Sequence, residues 1–321
     1  MRKHKARRFR GILWVAAVAA GVLLVGYVGL CAYLAYTIEY PAPIPEDAKP
    51  SHYLLAAVDV SWSSSRGRDI KGWWTEGRPG APAVLLAPGH DLSRSDALSL
   101  AAELGKRGFH SLIYSAGGRS DDGSKPAGIL GPEAVEDMLS ALDFVERRKE
   151  VASGRLGIWG VDVGARAALE AACRRPEVKA VAADSPYDAA ADFVRLHVIA
   201  TLGRTDRRIE SGCLWILGLL EGFPADSFRA GLELEALANR SVLFITGGNR
   251  PELAQSTEEL RGRLKPEKEL LSLGGSRARL MSAEMMAVYD RRVGDFFSTC
   301  LLDVRPGAGT QTGRTDGEGN Q

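Results

Sequence analysis

Histidine is scarce in this chain and stops early: there are five, and none follows His197. The last third of the chain therefore has no imidazole, the side chain best matched to proton transfer near neutral pH. Cysteine is equally thin. Cys31, Cys173, Cys213 and Cys300 lie far apart and form no C-x-x-C pair, which argues against a zinc site and a dense disulfide framework. No metal and no cofactor is expected. An excess of basic charge is also missing, since 41 Lys and Arg against 40 Asp and Glu leave a net charge of +1. That balance argues against a general polyanion-binding surface, so nucleic acid is not an expected partner. Core material is not lacking: 45% hydrophobic and 25% charged content is ordinary for a globular protein of 321 residues.

One stretch lacks charge altogether. From Gly11 to Ile38 there is no charged side chain, while residues 1–10 carry Arg2, Lys3, Lys5, Arg7, Arg8 and Arg10. A hydrocarbon core of about 30 Å needs roughly 20 apolar helical residues, and a signal-peptide core only about 7 to 15, so residues 11–38 read as an uncleaved transmembrane helix. No small-x-small cleavage site follows it. Cys31 comes after Val28-Gly29-Leu30, where a bulky leucine breaks the lipoprotein pattern. Trp14 near one end and Tyr27, Tyr33, Tyr36 and Tyr40 toward the other suit the two interfaces. By the positive-inside tendency the N-terminus stays in the cytoplasm and the rest of the chain lies outside it. The expected partner is thus a lipid bilayer, through residues 11–38.

Residues 39–50 include four prolines in a short polar stretch and read as a linker, and residues 305–321 read as a disordered tail poor in apolar side chains. Between them, over 51–304, short apolar runs alternate with helical periods, the pattern of a mostly parallel sheet covered by helices. Eight strands are predicted: 54–62, 69–74, 83–87, 110–115, 155–160, 178–184, 241–247 and 269–273, the first two as an antiparallel edge. A helical insertion is expected at about 188–225, where Cys213 to Phe223 is strongly apolar, with Leu214, Trp215, Ile216, Leu217, Leu219 and Leu220. Such a segment is either core or a patch facing a membrane or a partner. Trp62, Trp73 and Trp74 read as packing on the edge strands.

The sharpest motif is Gly160-Val161-Asp162-Val163-Gly164, set between an apolar strand and an alanine-rich helix. G-x-D-x-G suits a tight strand-to-helix turn, with small residues where strand and helix approach and a strained residue at the apex. Here the chain resembles the α/β-hydrolase superfamily, in particular bacterial membrane-associated members similar to serine aminopeptidases and acyl hydrolases. The resemblance runs over roughly residues 55–300. Ala83 to His90 resembles the family's strand and oxyanion loop, Ser115 to Ser120 stands at its D-x-R-G-x-G-x-S loop, and Asp184-Ser185-Pro186-Tyr187 resembles the D-S-P end of the next strand. The resemblance implies an α/β fold with an eight-stranded, mostly parallel sheet flanked by helices. It places Asp162 at the nucleophile position and Val163 and His90 at the oxyanion-hole positions.

The rest of the family's catalytic set is absent. The position of the acid holds Arg250, and that of the histidine base holds Arg277, with Arg279 close by. Haloalkane dehalogenases and epoxide hydrolases of the same fold use an aspartate nucleophile, so Asp162 could serve, with Asp184 as the acid. That chemistry still needs a histidine to activate water, and His90 on the oxyanion loop is the candidate. Against it stands the tolerance of aspartate for left-handed backbone, which would keep Asp162 at the turn after catalysis is lost. The arginines read as ion-pair partners or as an anion pocket. Three expectations follow: a pseudo-hydrolase with a binding or scaffolding role, a hydrolase working through Asp162, or a partner- or membrane-binding module acting through residues 213–223.

Overall fold

The computed structural model describes residues 2–42, 44–65, 67–114, 128–247, 251–275 and 281–302. Eight strands form one sheet: β1 (Ala57–Ser63), β2 (Asp69–Thr75), β3 (Ala81–Ala87), β4 (His110–Tyr114), β5 (Val151–Val161), β6 (Val178–Asp184), β7 (Ser241–Gly247) and β8 (Glu269–Leu273). Their order is β1-β2-β4-β3-β5-β6-β7-β8. β2 is antiparallel to both β1 and β4, and every other pairing is parallel. The predicted strands are all present, β6, β7 and β8 with the predicted ends and the other five with shifted ones. β1 starts at Ala57 rather than Leu54, because Pro50–Tyr53 forms a 3-10 turn closed by Leu54 at φ 56°.

Buried parallel strands need apolar side chains on both faces, and β3 is buried at every position. Alternation then sorts those side chains between two cores. Leu85, Leu112 and Ile158 pack under α3 (Pro132–Glu146) and α4 (Val163–Arg174), whereas Val84, Leu86, Ile113 and Trp159 pack under α2 (Leu98–Lys106) and α8 (Ala283–Leu301). α7 (Pro251–Arg263) lies between β7 and β8 in the chain. The edge tryptophans are structural. Trp62 donates Nε1–H to Ser140 Oγ at 3.1 Å, and Trp74 stacks on His110 with the Arg148 guanidinium also over its ring.

A third core lies over the carboxyl ends of the strands. It joins α5 (Ala190–Leu202) and α6 (Arg207–Glu221) to the last turns of α1 (Arg2–Glu39). α1 is long and apolar enough to cross a membrane from Arg10 to Glu39. Its side chains are open from Arg10 to Gly29, but Cys31, Leu34, Ala35 and Ile38 are buried against the domain. Composition led to a free span running to Ile38. The last turns instead pack on protein, where Leu, Ala and Ile are as well accommodated as in lipid.

Candidate functional site

β5 delivers the chain to Asp162 and α4 carries it away, with a turn between them that needs the glycines on either side of the apex. Asp162 sits at φ 41°, ψ −104°, a region that L side chains rarely adopt. A Cβ on Gly160 would lie 2.4 Å from the Gly164 carbonyl, and one on Gly164 would lie 2.4 Å from the Ala87 carbonyl oxygen. Strand and helix backbones are therefore in direct contact on both sides of the apex.

The carboxylate of Asp162 turns back on the turn that carries it. Its Oδ1 accepts the backbone N–H of His90 at 2.8 Å and the backbone N–H of Val163. These two donors are the backbone groups that the family resemblance places at the oxyanion-hole positions, and here both are taken by the protein's own carboxylate. The N-terminus of α4 adds a favourable field for that anion. Gly89 makes the fit possible, because a Cβ there would lie 2.6 Å from Asp162 Oδ2. Asp162 is 1% exposed.

His90 contributes its backbone rather than its ring. Its Nδ1 faces Asp91 Oδ1 at 3.0 Å and its Nε2 faces the Ile38 carbonyl at 3.2 Å, so both ring nitrogens already face oxygen atoms. The imidazole thus ties the oxyanion loop to the end of α1. On its other side the ring lines a cleft of about 310 Å³ with Asp91, Phe193, Leu196, His197 and Leu253. Asp162 does not line that cleft. His197 crosses His90 edge to face at 6.2 Å between ring centroids, and burial together with His90 lowers its pKa below the ordinary 6.5, opposed by Asp91.

Asp184 occupies a different layer. Its Oδ1 accepts from Ser185 Oγ at 2.8 Å and its Oδ2 from Tyr289 Oη at 2.9 Å, and Trp159 Nε1 donates to the same Tyr289 oxygen at 2.8 Å. Its backbone oxygen accepts the Asp162 N–H at 2.9 Å. Asp184 therefore braces β5, β6 and α8 beneath the turn and is not presented to the cleft. Ser185, at φ 53°, takes part in the same brace. Arg250, Arg277, Arg279 and Ser115 lie outside the described residues. Among the described residues, no group of three or more His, Cys, Asp or Glu is placed to hold a metal ion.

A larger hollow of about 630 Å³ opens behind α4. Part of its charged lining is internally matched, with Glu170 paired to Arg166 at 3.2 Å and to Arg174 at 2.5 Å. Asp162 does not line this hollow either. The apolar segment 213–223 is divided between two environments. Cys213, Leu214 and Leu217 are buried in the third core, while Trp215 is 59% and Leu219 63% exposed. His197, Tyr289 and Gly89 were not singled out from the sequence. Only Gly89 left a visible trace there, as the glycine of Pro88-Gly89-His90.

No protein-family model matches the chain. Among curated proteins it is 31% identical over 108 residues to an acyltransferase of Aspergillus calidoustus, covering 33% of this chain and 35% of that one. It is 26% identical over 202 residues to an uncharacterized protein of Mycobacterium tuberculosis, covering 61% and 68%. A thiohydrolase of Arthrinium phaeospermum is 30% identical over 130 residues, covering 40% and 42%. The chain thus spans only about a third to two-thirds of these relatives. Among solved structures, an esterase of Pyrococcus furiosus superposes with a TM-score of 0.60 at 18% identity, covering 82% of this chain and 98% of that one. A hypothetical protein of Pseudomonas aeruginosa does so at 0.59 and 19%, again covering 82% and 98%. Likeness of that extent at so low an identity is carried by the path of the backbone, and the path is that of the α/β-hydrolase fold.

Proposed function

We propose that this protein is a membrane-anchored pseudo-hydrolase: an α/β-hydrolase domain held outside the cytoplasm by α1, with a binding or scaffolding role in place of turnover. The observation that carries the reading is the Asp162 carboxylate accepting both His90 N–H and Val163 N–H. The names of the relatives include an acyltransferase and a thiohydrolase, and acyl transfer builds negative charge on a carbonyl oxygen. That charge needs the two donors that Asp162 already uses, and an anion in the cradle would repel a second. The absence of a serine at the apex and the arginines at the acid and base positions support the same conclusion. Turnover of p-nitrophenyl esters and acyl thioesters by the full chain in detergent is the test. The expected rate equals that of Asp162→Ala and of buffer, and a rate well above buffer that Asp162→Ala abolishes would reject the proposal.

A second reading has one observation in its favour. Holding Oδ1 in two hydrogen bonds leaves Oδ2 as the oxygen able to attack carbon, which is what an aspartate nucleophile requires. Such an enzyme would form an alkyl ester on Asp162 and then need a base for water, a role that the two oxygen-bound nitrogens of His90 do not serve. Intact mass spectrometry after exposure to epoxides and haloalkanes decides the matter. An adduct that Asp162→Ala removes favours this reading, and an unmodified chain favours the first.

A further inference from the structure

The docking of α1 sets the height of the domain above a bilayer. α1 and α6 run side by side in the same direction: Tyr27 Oη donates to the Arg208 carbonyl at 2.6 Å at the start of α6, Cys213 Sγ meets the Cys31 carbonyl at 3.7 Å, and Tyr40 Oη donates to Glu221 Oε1 at 3.1 Å at its end. The first turn of α6 is therefore level with Tyr27. From Gly11 to Tyr27 the helix is roughly 25 Å long at 1.5 Å per residue, close to the thickness of a hydrocarbon core of about 30 Å. All of that stretch is open to its surroundings. If α1 crosses a bilayer, it emerges where α6 begins.

At that level the α5–α6 turn presents Arg204, Arg207 and Arg208, all exposed. None of the three guanidinium groups forms an ion pair with a described residue. The acids nearby are engaged elsewhere. Asp206 accepts the backbone N–H groups of Arg208 at 2.9 Å and Ile209 at 3.3 Å as the cap of α6, and Glu210 is half-buried, with Oε1 turned inward. Guanidinium placed in hydrocarbon would be costly, which bars a deeper seat for the domain. At headgroup level the same groups match phosphate oxygens through paired N–H donors. We infer that Arg204, Arg207 and Arg208 form a collar that binds the phosphates of anionic phospholipids around the exit of α1 and holds the domain against the membrane surface. The inference rests on the reading of α1 as a membrane anchor.

The test uses the full chain in nanodiscs of brominated phosphatidylcholine, with and without phosphatidylglycerol. A fluorescent non-natural residue is placed in turn at Thr205, at Ala20 within α1 and at Lys149 on the far side of the sheet. Quenching at Thr205 by lipid brominated near the headgroup should be at least threefold that at Lys149 in the anionic discs. In the Arg204→Gln, Arg207→Gln, Arg208→Gln variant it should drop to the value found without phosphatidylglycerol and lose its dependence on that lipid, with an unchanged thermal midpoint. Quenching at Thr205 that is equal in both lipids and unmoved by the triple substitution, or no greater than at Lys149, would overturn the collar. The Ala20 reporter separates the two failures: if deep bromines quench it while Thr205 is silent, only the collar is lost, and if they do not, the anchor reading is lost with it.

Discussion

Gly89→Ala tests whether the carboxylate truly occupies the oxyanion cradle. The new Cβ would lie 2.6 Å from Oδ2 and 2.7 Å from Oδ1 and Cγ of Asp162, so the carboxylate has to leave. Leaving breaks the bonds from His90 N–H and Val163 N–H. Hydrogen bonds to charged groups contribute about 1.5–3 kcal/mol each, so the expected loss is about 3–6 kcal/mol. Asp162→Gly loses the same bonds but relieves a backbone strain of about 1–3 kcal/mol at φ 41°, for a smaller net loss of about 1–3 kcal/mol. In the double variant the methyl group enters space that Asp162 has vacated, and the second substitution should cost almost nothing. The coupling between the two sites is then about 3 kcal/mol in favour of the pair. Thermal unfolding of the full chain in detergent, followed by tryptophan fluorescence, reads it out. With about 2–4 °C per kcal/mol for a domain of this size, Gly89→Ala should lower Tm by roughly 6–24 °C while adding little to Asp162→Gly. Losses that simply add to within about 0.5 kcal/mol would refute the placement of the carboxylate.

Gly164→Ala and Gly160→Ala drive a methyl group into backbone atoms 2.4 Å away, and each should destabilise by about 3 kcal/mol or more, visible as aggregation on expression or a Tm loss larger than that of Gly262→Ala, where nothing lies within 4 Å. Tyr289→Phe removes a hydroxyl that accepts from Trp159 and donates to Asp184, so urea unfolding should show a loss of about 2–4 kcal/mol with little change in the cleft. His197 titrates below its ordinary 6.5 in the folded chain. A base held in its neutral form contributes its full stability above 6.5, and that contribution falls as pH drops below 6.5 toward the folded value. Acid-induced weakening in that window should be smaller in His197→Gln, and an NMR titration placing His197 at or above 6.5 would contradict the assignment.

The sheet was legible because each strand is a short apolar run bounded by turn residues, and the runs survive even where a boundary moves, as at Leu54. The apex was legible for a different reason: Gly160 and Gly164 are demanded by backbone contact, which leaves a mark in the sequence at fixed spacing. The fate of the carboxylate left no such mark. Whether Asp162 points outward or back onto His90 N–H depends on a loop more than seventy residues earlier in the chain. The brace of Trp159, Tyr289 and Asp184 was hidden likewise, since a buried tyrosine reads as core until its hydroxyl finds partners 105 and 130 residues away. The end of α1 was misjudged on physical grounds, because apolar side chains leave water equally well into lipid or into protein, and composition does not say which.

The seating of α1 also has a consequence for the order in which the molecule is made. Tyr27 and Tyr40 meet partners 181 residues further along, so α1 is synthesised well before the helix it packs against. Until α5 and α6 have been synthesised, the core that buries Cys31, Leu34 and Ile38 is incomplete. A version of the protein shortened to begin after Tyr40 would meet the reverse problem, with Leu214 and Leu217 of α6 and Val194 of α5 deprived of neighbours and turned toward water. α1 and the globular part are thus not separable pieces joined by a tether, and a chain without α1 would be an unfinished fold.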